Sequence, residues 1–118
     1  MIQKNMVLFK TEKDTLTAYL SGDIDHHTTV EIRNLIDEEM QRFMPNELRL
    51  DFSSVRFMDS SGVGLVMGRY KAALVYGCKV TVTAMPPRIE KIMRMSALGK
   101  IITFENPKKV VDKRKTIC

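Results

Sequence analysis

Apolar and polar residues alternate in two short runs near the start of the chain, Met6 to Lys10 and Leu16 to Leu20, with Glu12 to Asp14 between them. Period-two alternation around a polar turn predicts a β-hairpin, and Gly22 marks the end of its second strand. The period then changes. Ile32, Leu35, Ile36, Met40 and Phe43 fall at helical spacing, preceded by Thr28-Thr-Val-Glu31, the layout of a capping box, and followed by Pro45 as a stop. Leu48, Leu50 and Phe52 mark a third strand. After a polar loop from Ser53 to Gly62, a helix carries Val63, Val66, Met67, Tyr70 and Leu74 and ends near Gly77. Val80 and Val82 form a fourth strand. Pro86-Pro87 opens a third helix with Ile89, Ile92 and Met93, closed by Gly99, and Ile101 to Phe104 reads as a last short strand. A weaker amphipathic pattern predicts a final helix from Pro107 to Ile117.

Two strands followed by alternating helices and strands predict an α/β fold: a mixed, mostly parallel sheet with an N-terminal hairpin and helices packed on it. At 118 residues the chain reads as a single domain, with a core over about residues 6–104 and a basic tail or helix over 105–118. In such sheets sites gather beyond the carboxyl ends of strands. Two loops meet that condition, Gly22 to Thr28 and Ser53 to Gly62, and both lead into a helix, so they are expected to form one surface.

Charge changes this picture little. Of the net +5, the residues Lys108, Lys109, Lys113, Arg114 and Lys115 against Asp112 account for +4, which leaves the body of the domain nearly neutral. A basic tail without aromatic residues is a solvated end rather than a nucleic-acid arm, so no direct nucleic-acid partner is expected. No apolar run approaches the ~20 residues of a membrane span. The N-terminus lacks the basic-then-apolar layout of a signal peptide, so the expectation is a soluble, cytoplasmic protein without a membrane partner. Cys78 and Cys118 have no metal-ligand spacing and are expected to be free thiols.

The candidate chemistry lies at the third strand-to-helix junction, where Asp59, Ser60 and Ser61 precede the helix. The first N–H groups of a helix lack internal partners and sit at the positive end of its dipole. Two readings stand: Asp59 or Ser60 caps the helix, or the junction receives an anion such as a phosphate. Gly62, Gly64 and Gly68 each cost up to ~1 kcal/mol in a helix interior relative to Ala. They imply close packing on the sheet or a surface kept flat for another molecule. A nucleotide loop does not fit, because Gly68 is followed by Arg69-Tyr70 rather than Lys-Ser/Thr, and a dinucleotide fingerprint counted from Gly62 meets Met67 at its sixth position.

Other constellations are weaker. Asp25, His26 and His27 suggest a metal or acid–base site, but neighbouring residues at a helix start diverge and no third histidine completes it. Asp51 and Asp59 form a carboxylate pair only if the fold brings them together. The serine pair lacks the G-x-S-x-G elbow of a hydrolase, so an enzyme is not expected, nor any cofactor. Met58, Met67, Met85, Met93 and Met95 read as core filling.

Gly22-Asp-Ile-Asp-His-His27, Phe57-Met-Asp-Ser-Ser-Gly-Val-Gly64 continuing to Gly68-Arg-Tyr-Lys71, and Met95-Ser-Ala-Leu-Gly-Lys-Ile-Ile102 together resemble the anti-sigma factor antagonists, which share the STAS domain. The resemblance covers roughly Met6 to Phe104 and is close to the sporulation-type branch. It implies a phosphorylation switch: an unphosphorylated form that binds an anti-sigma factor with serine kinase activity and so frees a sigma factor, phosphorylation on Ser60, and a PP2C-type phosphatase that reverses it. By the same resemblance the partner-binding surface comprises Asp23, Asp25 and His26 with Met58, Asp59, Ser61, Gly62, Val63, Gly64 and Leu65. The tail after Lys108 is more basic than the resemblance leads one to expect. Alternatives are an antagonist in a stress-response sigma pathway and a small nucleotide-binding protein.

Overall fold

Alternation along the strands decides which face of the sheet is covered. In the computed structural model, which describes residues 6–106, the chain runs β1 (Val7–Glu12), β2 (Thr15–Ile24), α1 (Thr29–Phe43), β3 (Glu47–Met58), α2 (Ser61–Val75), β4 (Lys79–Thr83), α3 (Pro87–Met95), a 3₁₀ turn (Ala97–Lys100) and β5 (Thr103–Glu105). The strands lie side by side in chain order. β1 and β2 are antiparallel and the remaining pairs parallel.

Register aligns the apolar rows. Leu16 lies beside Leu48 and Leu48 beside Val80, while Ala18, Leu50 and Val82 form the next row. All six are buried. Thr15, Thr17, Glu47, Arg49 and Asp51 take the alternate positions and are only half-buried. α1 supplies Ile32, Ile36 and Met40 to the core, and α2 supplies Leu65, Val66 and Ala73. With Phe52 fully buried among them, burial of apolar area is the dominant stabilising term, at ~25 cal/mol per Å².

The structure corrects several sequence expectations. β2 continues through Gly22 to Ile24, because Gly22 adopts φ +80° and absorbs a register shift beside it. β3 likewise runs on to Met58, so the expected loop from Ser53 shrinks to Asp59 and Ser60. Its extension pairs with β2 through Ser54–Ser21, Val55–Gly22, Phe57–Asp23 and Met58–Ile24. Pairing with a neighbour overrides polar composition there. The capping box does not form: the Thr28 side chain makes no capping hydrogen bond.

On α2 the buried line is Gly62, Leu65, Val66, Arg69 and Ala73, and Leu74 is exposed, so the inward face is rotated from the expected one. α3 stops at Met95, which is 78% exposed and therefore not core filling, whereas Met58, Met85 and Met93 are buried. Gly99 sits in the 3₁₀ turn and β5 starts at Thr103 rather than Ile101. Cys78 is a buried free thiol immediately before β4, and burial pushes its titration upward. The helix expected over 107–117 and Cys118 lie outside the described residues.

Candidate functional site

Because β2 and β3 are parallel neighbours, their carboxyl ends emerge together and carry the two candidate loops to one place. The Asp59 N–H donates to the Ile24 carbonyl at 3.2 Å, which joins the loops by backbone. Arg56 adds a side-chain tie, with Nε and Nη2 each 3.2 Å from Asp23 Oδ1. Both groups of that ion pair are exposed, so it contributes little stability; its effect is to set charge on the rim.

The two loops solve the same local problem in the same way. Asp25 Oδ1 accepts the N–H of His27 at 2.9 Å and of Thr28 at 3.1 Å, just ahead of α1. Thr28 Oγ1 donates to the Asp23 carbonyl at 3.0 Å and accepts the Asp25 N–H at 3.0 Å. The aspartate thus occupies the capping role that the sequence assigned to Thr28. Asp59 Oδ1 accepts the Ser61 N–H at 2.8 Å ahead of α2. The next amides are also taken, Gly62 by the Asp59 carbonyl and Val63 by the Ser60 carbonyl. Capping by Asp59 is therefore what the junction does, and no free amide cradle remains for an anion.

Ser60 stands at the head of α2, exposed, and its hydroxyl makes no capping hydrogen bond. Ser61 is half-buried and turns toward a groove between α1 and α2. Asp23 and His26 are exposed, Asp25, Asp59 and Val63 partly so, and Gly64 is exposed on α2. Met58, Gly62 and Leu65 are buried and shape this surface from beneath. The His26 and His27 rings do not diverge as expected; their centroids lie 4.0 Å apart. Asp51 is spent on Ser53, accepting its N–H at 2.9 Å. It lies eight residues before Asp59, which follows the end of β3, and that is about 26 Å at strand rise, so the two carboxylates do not pair.

The glycines divide by role. A Cβ on Gly62 would overlap Sδ and Cγ of buried Met58, whereas one on Gly64 or Gly68 would meet nothing within 4 Å. Close packing explains the first. Gly64 and Gly68 instead line the α1–α2 groove, of ≈ 300 Å³, with Thr29, Arg33, Ser61, Leu65 and Arg69. Sequence reasoning missed its charges: Arg69 is 5% exposed, and its Nε lies 2.8 Å from Asp37 Oδ1. Its place one residue past Gly68 was the available signal, but a charged residue amid helical spacing reads as solvent-facing.

Asp25, just ahead of α1, and Asp37, in the middle of α1, are shifted in opposite directions. Hydrogen bonds from the Thr28 and His27 amides hold Asp25 below the ordinary aspartate range. Burial pushes Asp37 above it despite Arg69 and Arg33. Asp25 therefore contributes stability that is present above its unfolded value and lost as pH falls through its lower folded value. Asp37 carries a burial penalty at neutral pH that disappears as pH falls through its raised folded value and then its unfolded one. Carboxyl-detected NMR titration should place the Asp25 midpoint below that of Asp37; the reverse order would contradict the geometry.

A five-stranded sheet with an N-terminal antiparallel strand, and two loops joined at its carboxyl edge beside an exposed serine ahead of α2, define a small α/β domain with one candidate binding surface. The family profile described as Mlab, STAS domain, matches residues 7–103. Over 90 residues the chain is 37% identical to the anti-sigma F factor antagonist of Paenibacillus polymyxa, covering 76% of this chain and 77% of that one. It superposes on the unphosphorylated anti-sigma factor antagonist SpoIIAA with a TM-score of 0.72 and 26% identity, over 95% of this chain and 98% of that one. For the phosphorylated form of SpoIIAA, the Bacillus cell fate determinant, the TM-score is 0.65 at 26% identity, over 91% and 97% of the two chains. The chain belongs to the STAS-domain family, among its anti-sigma factor antagonists of the SpoIIAA type. These are regulatory binding proteins. No helix among the described residues is long and apolar enough to cross a membrane.

Proposed function

We propose that this chain is a phosphorylation-switched antagonist acting in the cytoplasm. Unphosphorylated, it binds an anti-sigma factor that is also a serine kinase and releases a sporulation sigma factor; phosphate on Ser60 ends the binding, and a PP2C-type phosphatase restores it. The observation that carries this reading is Ser60 itself: an exposed, uncapped hydroxyl at the centre of the joined loops, beside a half-buried Ser61. Exposure supports Ser60 over Ser61 as acceptor, a choice that motif chemistry alone left open. Likeness to a relative known in both unphosphorylated and phosphorylated forms supports the switch.

The physics of the off state follows from the capping. A phosphate adds about −1.5 to −2 charge at neutral pH. Since the first α2 amides are engaged by Asp59 and Ser60 oxygens, the added charge stands in solvent near the Asp59 carboxylate, with only the helix dipole in its favour. The fold has no reason to change. Docking a partner over that charge requires stripping its water beside like-charged groups, which costs several kcal/mol.

Intact-mass measurement after incubation with the cognate anti-sigma kinase and ATP tests the assignment. One added phosphate is expected on the wild type and on Ser61→Ala, and none on Ser60→Ala. A wild type that gains no mass would refute the switch.

A further inference from the structure

Two guanidiniums, Arg33 and Arg69, line the α1–α2 groove, and of the two only Arg69 lies against a carboxylate, that of Asp37. Arg69 is almost wholly buried and places Nε 2.8 Å from Asp37 Oδ1, off the line of a hydrogen bond. Its two terminal nitrogens have no hydrogen-bond partner among the described residues. Arg33, one turn before Asp37 on α1, is exposed and makes no close ion pair there, yet it is near enough to act on both Asp37 and Arg69. The local account is two positive charges against one negative.

The groove around them is built to be entered. Thr29 and Ser61 bring hydroxyls, and Gly64 and Gly68 leave its α2 wall bare at two positions although nothing inside the protein would obstruct a Cβ. A buried arginine with unused donors suits a planar carboxylate, which accepts two parallel N–H bonds.

We propose that this groove receives an acidic side chain, an Asp or Glu, from the protein that reads the Ser60 surface. This rests on the switch reading and adds the partner's chemistry to it. The binding face then has two poles: a rim of Asp23, Asp25 and Asp59 whose negative charge Arg56 offsets only in part, and a cationic groove behind Ser61. A partner with a basic patch and a carboxylate at matching positions docks in one orientation only, because the reverse sets like charges together.

The test is the affinity of the full chain for the cognate anti-sigma factor, measured by calorimetry at two salt concentrations for wild type, Arg33→Lys and Arg33→Glu. Arg33 is exposed, so all three should share one urea midpoint. Arg33→Glu should weaken binding at least about tenfold, less at high salt, while Arg33→Lys retains most of it. A Lys placed at one interface carboxylate of the anti-sigma factor should restore binding to Arg33→Glu. Wild-type affinity in Arg33→Glu would overturn the groove proposal and leave the switch standing. A loss that no such charge reversal restores would overturn it too, assigning the groove to a free anion. Failure of the wild type to bind any anti-sigma factor would overturn the switch and the groove together.

Discussion

Phosphorylated protein should bind the anti-sigma factor at least about 100-fold more weakly than unphosphorylated protein, equivalent to roughly 2.8 kcal/mol, with its thermal midpoint nearly unchanged. The expectation comes from where Ser60 lies. Its side chain contributes no cap, so modifying it breaks no internal hydrogen bond, and the Asp59 side chain keeps the Ser61 amide satisfied. What changes is the surface. Charge is added beside Asp59 and close to the loop that carries Asp23 and Asp25, where an approaching partner must displace water. Ser60→Asp should give a smaller loss, since it brings one negative charge rather than nearly two. Ser60→Ala should bind like the unphosphorylated wild type and stay insensitive to ATP. Calorimetry on the purified forms decides this; equal affinity for phosphorylated and unphosphorylated protein would mean that Ser60 is not the control point.

The second large effect separates two glycines two positions apart on one helix. Gly62→Ala should destabilise the fold by about 1–3 kcal/mol, the usual range for overpacking. The new methyl overlaps Met58 Sδ and Cγ, and Met58, only 2% exposed, must leave its rotamer and repack within the core to clear it. Shortening Met58 in the same chain should recover part of the loss. Gly64→Ala should instead raise stability by up to ~1 kcal/mol, because the helix gains propensity and the methyl meets nothing within 4 Å. The same change should weaken anti-sigma factor binding if a partner uses the bare wall of the groove. Urea denaturation gives the first pair of results and calorimetry the last. Equal stability effects at the two sites would show that Met58 does not pack against Gly62 as described.

Much of the fold was legible because the signals behind it are local. Period-two alternation marked β2 and β3, helical spacing marked α1 and α3, and Pro86-Pro87 and Pro45 bounded them. The Asp59-Ser60-Ser61 junction was visible for the same reason: a cap, a break in period and a hydroxyl sit within a few adjacent residues. Errors came where distant partners decide. Ser53 to Met58 looked like a loop by composition, yet pairing with Ser21 to Ile24 extends β3 through it. The Thr28 capping box failed because the Thr28 hydroxyl is engaged with the Asp23 carbonyl and the Asp25 N–H, and Asp25 already holds the Thr28 amide.

By itself, then, the sequence determined the order of elements, the apolar alternation of the strands and the serine pair ahead of α2, since each follows from side-chain period and backbone preference over a few residues. Tertiary structure alone decided that Asp23 meets Arg56, that Asp37 meets a buried Arg69, that Ser60 is exposed while Ser61 is half-buried, and that one glycine packs against Met58 while two others leave a groove open. Charge pairs and empty space have no period. They arise only when parallel strands and the helices after them are laid side by side, and their distances then settle which charges are matched and which await a partner.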